Sequence, residues 1–198
     1  LFLATSAYSA GMVGVKFGLG ELDAENKSYT AGQTTVAAQS ASKDNQFGAI
    51  FGEFELPAVE GLSLGVEYIP FEANIRLDKG ESGTGAEVSD ATTIYASIMK
   101  DAGAGSVYVK AGYFMADIGT VTNANGTTVN SQDDSLEGPM LGIGFQQELA
   151  SGIFGRLEGT ITELDDVSIT TTSNGSTSVK KTGSGDITTI TLSVAKSF

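Results

Sequence analysis

Residues 12–22 read MVGVKFGLGEL. Val13, Val15, Phe17 and Leu19 fall on one side of an extended chain, and Gly14, Lys16, Gly18 and Gly20 fall on the other. Alternation of period two marks a strand whose two faces meet different surroundings. In a soluble antiparallel sheet the second face is polar and solvated. Here it is small, with one long cation among three glycines. Glycine weakens a strand and is kept inside one where something must approach closely. A narrow eight-stranded barrel supplies that condition, because its interior is only just wide enough for side chains. The aliphatic face then points outward, which is tolerable when the outside is hydrocarbon.

The same scheme recurs along the chain. In LSLGVEY (62–68), Leu62, Leu64, Val66 and Tyr68 oppose Ser63, Gly65 and Glu67. In ATTIYASIMK (91–100), Thr92, Ile94, Ala96 and Ile98 oppose Thr93, Tyr95 and Ser97. SVYVKAGYFM (106–115) sets Val107, Val109, Ala111 and Tyr113 against Tyr108, Lys110 and Gly112. MLGIGFQQEL (140–149) sets Leu141, Ile143, Phe145 and Leu149 against Gly142, Gly144, Gln146 and Glu148. IFGRLEGTIT (153–162) sets Ile153, Leu157 and Ile161 against Arg156, Glu158 and Thr160. In QFGAIFGEFEL (46–56) Phe47, Ala49 and Phe51 form the bulky face, although Ile50 and Phe54 blur the register. The last stretch, DITTITLSVAKSF (186–198), sets Ile190, Leu192, Val194 and Phe198 against Thr191, Ser193 and Ala195. These make eight predicted strands.

Three connections are tight: PAVEG (57–61), DAGAG (101–105) and ASG (150–152). Four are long and polar: roughly 22–45, 78–91, 118–138 and 164–186. Short turns therefore gather at one end of the sheet and long loops at the other. Asn125-Gly126 and Asn174-Gly175 sit in alternating Thr-rich runs, and Asn-Gly is the strongest short-range hairpin signal. Two of the loops are expected to be hairpins that prolong the strands. Residues 1–10 read as a signal-peptide remnant or an N-terminal extension, and residues 11–198 as one barrel domain. An alternative fold with the same alternation is a soluble β-sandwich, its bulky faces buried against each other.

Composition closes off several functions. Among 198 residues there are 26 Gly, 3 Pro, no Cys and no His, with a net charge of −13. No thiol chemistry, disulfide or thiolate metal site is encoded. The usual general base is missing. The acidic balance disfavours nucleic acid, whose phosphates need a basic surface. No apolar run is long enough for a transmembrane helix. Most acidic residues lie in the four long loops and their bases, whereas the predicted interior is balanced: Lys16, Lys110 and Arg156 against Glu67, Glu148 and Glu158. Buried charges must be paired to survive desolvation, so an interior ion-pair network is expected there.

With topology and parity in hand, nearly the whole chain resembles the small eight-stranded outer-membrane barrels of the OmpA, OmpX and OmpW type. That resemblance implies an all-β, antiparallel up-and-down barrel in the bacterial outer membrane, with short periplasmic turns and long extracellular loops. It implies lipid and lipopolysaccharide as surroundings and the barrel assembly machinery as a partner in biogenesis. It also implies that Phe198, with Ile190, Leu192 and Val194, forms the assembly signal; Lys196 departs from the usual hydrophobic residue two places from the end. Tyr68, Phe71, Tyr113, Phe114, Phe145 and Phe154 are candidates for aromatic girdles at the membrane interfaces.

Function classes then separate. Catalysis by Asp133-Asp134 or Asp165-Asp166 is disfavoured, since neighbours on a strand face opposite ways. No carboxylate cluster has the spacing of an EF-hand, so no cofactor or dedicated metal is expected, although divalent ions bridging an acidic rim to lipid headgroups fit the composition. The leading expectation is a structural anchor that presents surface loops for envelope integrity, adhesion or surface contact. The alternative is a narrow channel or transporter for small or apolar solutes, as associated with OmpW-like members.

Overall fold

The computed structural model describes residues 11–31, 34–70, 73–76, 85–122, 128–129, 135–173 and 177–198. Eight long strands alternate with turns: β1 (Gly11–Asn26), β2 (Gln39–Glu55), β3 (Leu62–Ile69), β4 (Gly85–Asp101), β5 (Ser106–Thr122), β6 (Ser135–Ala150), β7 (Ile153–Ser173) and β8 (Thr177–Ser197). Each pairs antiparallel with its sequence neighbours, and β1 pairs with β8 from Met12↔Ser197 to Asn26↔Gly183. That last ladder closes the sheet into a barrel. Among the described residues there is no helix.

The tight turns are those of the sequence. Each places a glycine at positive φ, Gly61 at 74°, Gly103 at 80° and Gly152 at 68°, where a side chain would strain the backbone. At the opposite end the strands run on past the barrel wall. β7 and β8 stay paired as far as Ser173↔Thr177, and Tyr29–Ala31 pairs with Thr34–Val36 as a small separate ribbon. Much of what composition marks as loop is therefore extended strand. Both Asn-Gly pairs, Asp133-Asp134, Phe71 and residues 1–10 lie outside the described residues.

The faces divide as the alternation requires on seven strands. Val15, Leu141, Ile143, Ile190 and Leu192 are each more than half exposed and form an aliphatic belt around the outside. Lys16, Lys110, Arg156 and Glu158 are almost fully enclosed. A surface of that kind has hydrocarbon as its compatible solvent, and the sandwich alternative is excluded by the closed wall.

β2 corrects the expectation. Ala49 and Phe51 are buried in the lumen, and it is Ile50 and Phe54 that face outward. Both faces of β2 carry phenylalanine, so residue size does not identify the inner face; the register against β1, with Ala49 opposite Lys16, does. Two girdle candidates are also corrected. Phe114 packs partly buried against the lumenal cluster Val88, Ala91 and Ala116, and Phe154 pairs opposite Ala195, which is buried. Tyr68, Tyr113 and Phe145 keep outward parity. Tyr68 donates to Asp90 Oδ1 at 2.6 Å and Tyr113 to Asp165 Oδ2 at 3.1 Å. Both aspartates sit at register shifts of the loop-side half.

Two seams of the wall are incompletely laced. β2 pairs with β3 only from Ile50↔Tyr68 to Glu55↔Ser63, and β6 pairs with β7 only from Met140↔Thr162 to Ala150↔Ile153. Beyond those limits no ladder joins either pair among the described residues.

Candidate functional site in the lumen

Four strands send one charged side chain each to a common level. Lys16 of β1 donates to Glu67 Oε2 of β3 and to Glu158 Oε1 of β7, each at 2.6 Å. Lys110 of β5 donates to the same two carboxylates, at 3.2 Å to Glu67 Oε2 and 3.2 Å to Glu158 Oε1. The four ions alternate in sign around a ring. It takes its members from β1, β3, β5 and β7, while on the even strands Ala49, Thr93, Gly142 and Thr191, each paired opposite one of the four, are small. Tyr108 closes the remaining valence of Glu158 with a 2.9 Å hydrogen bond, and the Lys110 ammonium lies 3.8 Å above the Tyr95 ring.

A second layer lies on the turn side. Arg156 grips Glu53 with both guanidinium arms, Nη1 to Oε1 at 2.7 Å and Nη2 to Oε2 at 2.6 Å, and its Nε donates to Gln146 Oε1. Tyr95 donates to Glu53 Oε1 at 2.9 Å. The planar fork suits a carboxylate in two-point contact, which lysine cannot make. Phe51 fills the space between the layers, its ring centre 5.2 Å from Arg156 and 5.7 Å from Lys16.

Of the six residues predicted to pair inside, five meet in these layers: Lys16, Glu67, Lys110, Arg156 and Glu158. Glu148 does not. It shares the parity of Gln146 but stands at the end of β6, where the ladder shifts between Glu148 and Ala150. There it is exposed, and its carboxylate accepts the Gly152 N–H at 2.9 Å. Glu53 is the third interior anion. It shares parity with Phe47 and Phe51, whose size points that face outward in the sequence, and a charge count already balanced by Glu148 gives no signal for it. Only the register of β2 against β1, with Ala49 opposite Lys16, turns Glu53 inward.

The interior glycines have a specific task. A Cβ on Gly14 would come within 2.6 Å of the Phe51 ring, and one on Gly65 or Gly144 would overlap the rings of Tyr95 or Tyr108. Each glycine lets an aromatic ring lie flat on the wall, leaving the axis to the ions. On the loop side of the ion ring the lumen widens into a chamber of about 380 Å³. Glu67, Lys110 and Glu158 line it together with Leu22, Val88 and Met140.

The predicted assembly positions Ile190, Leu192 and Val194 are exposed on the outward side of β8, and Phe198, just past its last residue, is exposed as well. Lys196, between them, donates to Ser151 O at 3.0 Å. Asp165 and Asp166 lie at the β7 shift; Asp165 takes the Tyr113 hydroxyl and Asp166 pairs with Lys27. Among the described residues no group of three acidic side chains is arranged to hold a metal.

The architecture has close parallels among solved structures. The outer membrane protein OprG of Pseudomonas aeruginosa superposes with a TM-score of 0.67 at 9% identity, over 96% of this chain and 98% of that one. The fold is that of a small outer-membrane barrel. Neisserial surface protein A superposes with a TM-score of 0.51 at 14% identity, over 91% and 97% of the two chains. No family model and no curated protein matches the sequence. The outer-membrane barrel fold is thus shared without a shared sequence motif, as expected when parity and closure carry the specification.

Proposed function

We propose that this chain is an integral outer-membrane anchor, sealed through its lumen and functional at its loop end, in envelope integrity, adhesion or surface contact. The two ionic layers set across the lumen are the observation that supports this reading. Both layers, with the rings of Phe51, Tyr95 and Tyr108 packed against their charges, lie in the turn-side half of the lumen. An eight-stranded barrel has little room besides. The acidic strand extensions then act as the exposed part, and the barrel as their support. In a planar bilayer the purified chain is expected to give no stable conductance steps. Reproducible unitary steps from the wild type would overturn the anchor reading.

A second reading rests on a separate observation. The chamber above the ion ring sets apolar side chains, among them Phe47, Ile69, Val88, Leu136 and Met140, beside the ionic floor, and it adjoins the two incompletely laced seams. Passage of a small apolar solute between chamber and membrane, with no aqueous path, is compatible with a sealed floor. Fluorescence quenching of a small apolar probe by the reconstituted barrel, abolished by Ala91→Trp in the chamber wall, supports it; unchanged quenching in that variant sinks it.

A further inference from the structure

On the outer wall a groove of about 780 Å³ crosses β8, β1, β2 and β3. Its floor follows one cross-strand row, Lys196–Val13–Gly52–Val66, set by the pairings Val13↔Lys196, Val13↔Gly52 and Gly52↔Val66. Strands tilt in a barrel, so such a row runs obliquely to the barrel axis. Lys196 stands at the turn-side end of β8 and Val66 within β3, so the row climbs from the rim into the aliphatic belt. Three strand spacings separate its ends, about 14 Å.

Gly52 holds the groove open. A Cβ there would meet nothing nearer than the Met12 carbonyl oxygen at 3.9 Å, whereas one at Gly14 would strike the Phe51 ring at 2.6 Å. Gly14, Gly65 and Gly144 are each required by a ring of the protein, whereas no protein atom within 3.9 Å requires a glycine at 52. Val13, Val66 and Ile50 flank the empty position and are each about half exposed. Among the described residues lining the groove, Lys196 is the one that carries a charge. Its bond to Ser151 O fixes the ammonium at the turn-side mouth, and an ammonium carries three donors, which leaves some for another acceptor. Glu148, at the end of β6 beside this turn, is engaged by the Gly152 N–H.

We propose that this groove binds one anionic phospholipid of the turn-side leaflet, its phosphate on Lys196 and one acyl chain in the trough over Gly52 toward Val66. The charge at the mouth selects the occupant: an apolar trough alone takes any acyl chain, and a cation at its interfacial end favours a net-negative headgroup. The proposal rests on the reading that the belt faces lipid.

The test is native mass spectrometry of the full chain in detergent, with phosphatidylglycerol or phosphatidylcholine added. One phosphatidylglycerol is expected to persist where phosphatidylcholine does not. Lys196→Gln should weaken that retention about fivefold, the effect of one interfacial cation. Gly52→Leu should abolish it. Gly159→Leu is the control, since a Cβ there also meets open space outside the groove, the nearest atom being Thr189 O at 3.8 Å; it should change nothing. Heat-modifiable gel migration verifies that each variant is folded. Equal retention of the two lipids, or undiminished retention by Gly52→Leu, overturns the proposal while leaving the barrel's membrane placement intact. A chain that stays soluble without detergent removes both.

Discussion

Gly144 and Tyr108 face each other across β6 and β5, and the ring occupies the volume that any Cβ at 144 would need. Gly144→Val therefore displaces the Tyr108 hydroxyl from Glu158 as well as crowding the wall. Overpacking of this kind costs about 1–3 kcal/mol beyond the lost hydrogen bond, whereas Tyr108→Phe, which deletes only the hydroxyl bonded to the Glu158 carboxylate, should cost about 1.5–3 kcal/mol. Denaturant titration in lipid vesicles separates the two, and an equal loss in both variants would show that the ring does not need the glycine. Arg156 and Glu53 set a larger scale. Removing either partner of an enclosed ion pair strands the other charge, at about 3–5 kcal/mol. Arg156→Gln and Glu53→Gln are each expected in that range, and the double variant should cost far less than their sum. Additive losses in that cycle would mean that the two groups are not coupled. Thr191 supplies the contrast: among the described residues its buried Oγ1 has no hydrogen-bond partner, so Thr191→Val should leave stability unchanged or raise it.

Among the elements, parity was readable wherever one face is large and the other small. In β1, β6 and β8 the residue between consecutive outward apolar side chains is a glycine, lysine, threonine or serine, and that contrast separates the lumen from the belt. On β5 the inward Tyr108 is larger than its outward neighbours, and Lys110 carries the distinction. β2 has phenylalanine on both faces, and only its pairing with β1 reveals which side Lys16 shares. The same blur hid Glu53. The bulges at Asp90 and after Leu164 carry no sequence period at all, since an inserted residue resets the alternation. The outward face of β5 gives the direct test of orientation. Val109→Arg should destabilise by about 2–4 kcal/mol if it sits near the membrane midplane; a negligible change would place that face away from lipid. Higher on the wall, Asp23, Asp186 and Glu163 stand opposite one another on β1, β8 and β7, all exposed and all acidic. Like charges directly across a ladder repel. Asp186→Asn should therefore stabilise the barrel, by an amount that shrinks as salt screens the row. Salt-independent stabilities for the two proteins would argue that the row is already neutralised.

For the whole molecule, the outward charges mark where the belt ends. On β8, Lys196 lies at the turn-side rim and Asp186 at the loop side, with Ile190, Leu192 and Val194 between them. Ten residues of strand span about 33 Å, and a tilt of about 40° reduces the height to about 25 Å, the apolar band of an outer-membrane barrel. A bilayer much thicker than that band must thin around the protein, at a cost that grows with every ångström of mismatch. Refolding from denaturant into vesicles is therefore expected to be most complete in dilauroyl lipids and to fall in dioleoyl lipids, read as the fraction migrating in the unboiled, folded position on a gel. The closing ladder between β1 and β8 makes this fraction a measure of the entire barrel, because no strand can insert stably while an edge is open to hydrocarbon. Equal or better yield in the thicker bilayer would mean that the belt extends beyond Asp186 and Lys196, and that these charges are not its borders.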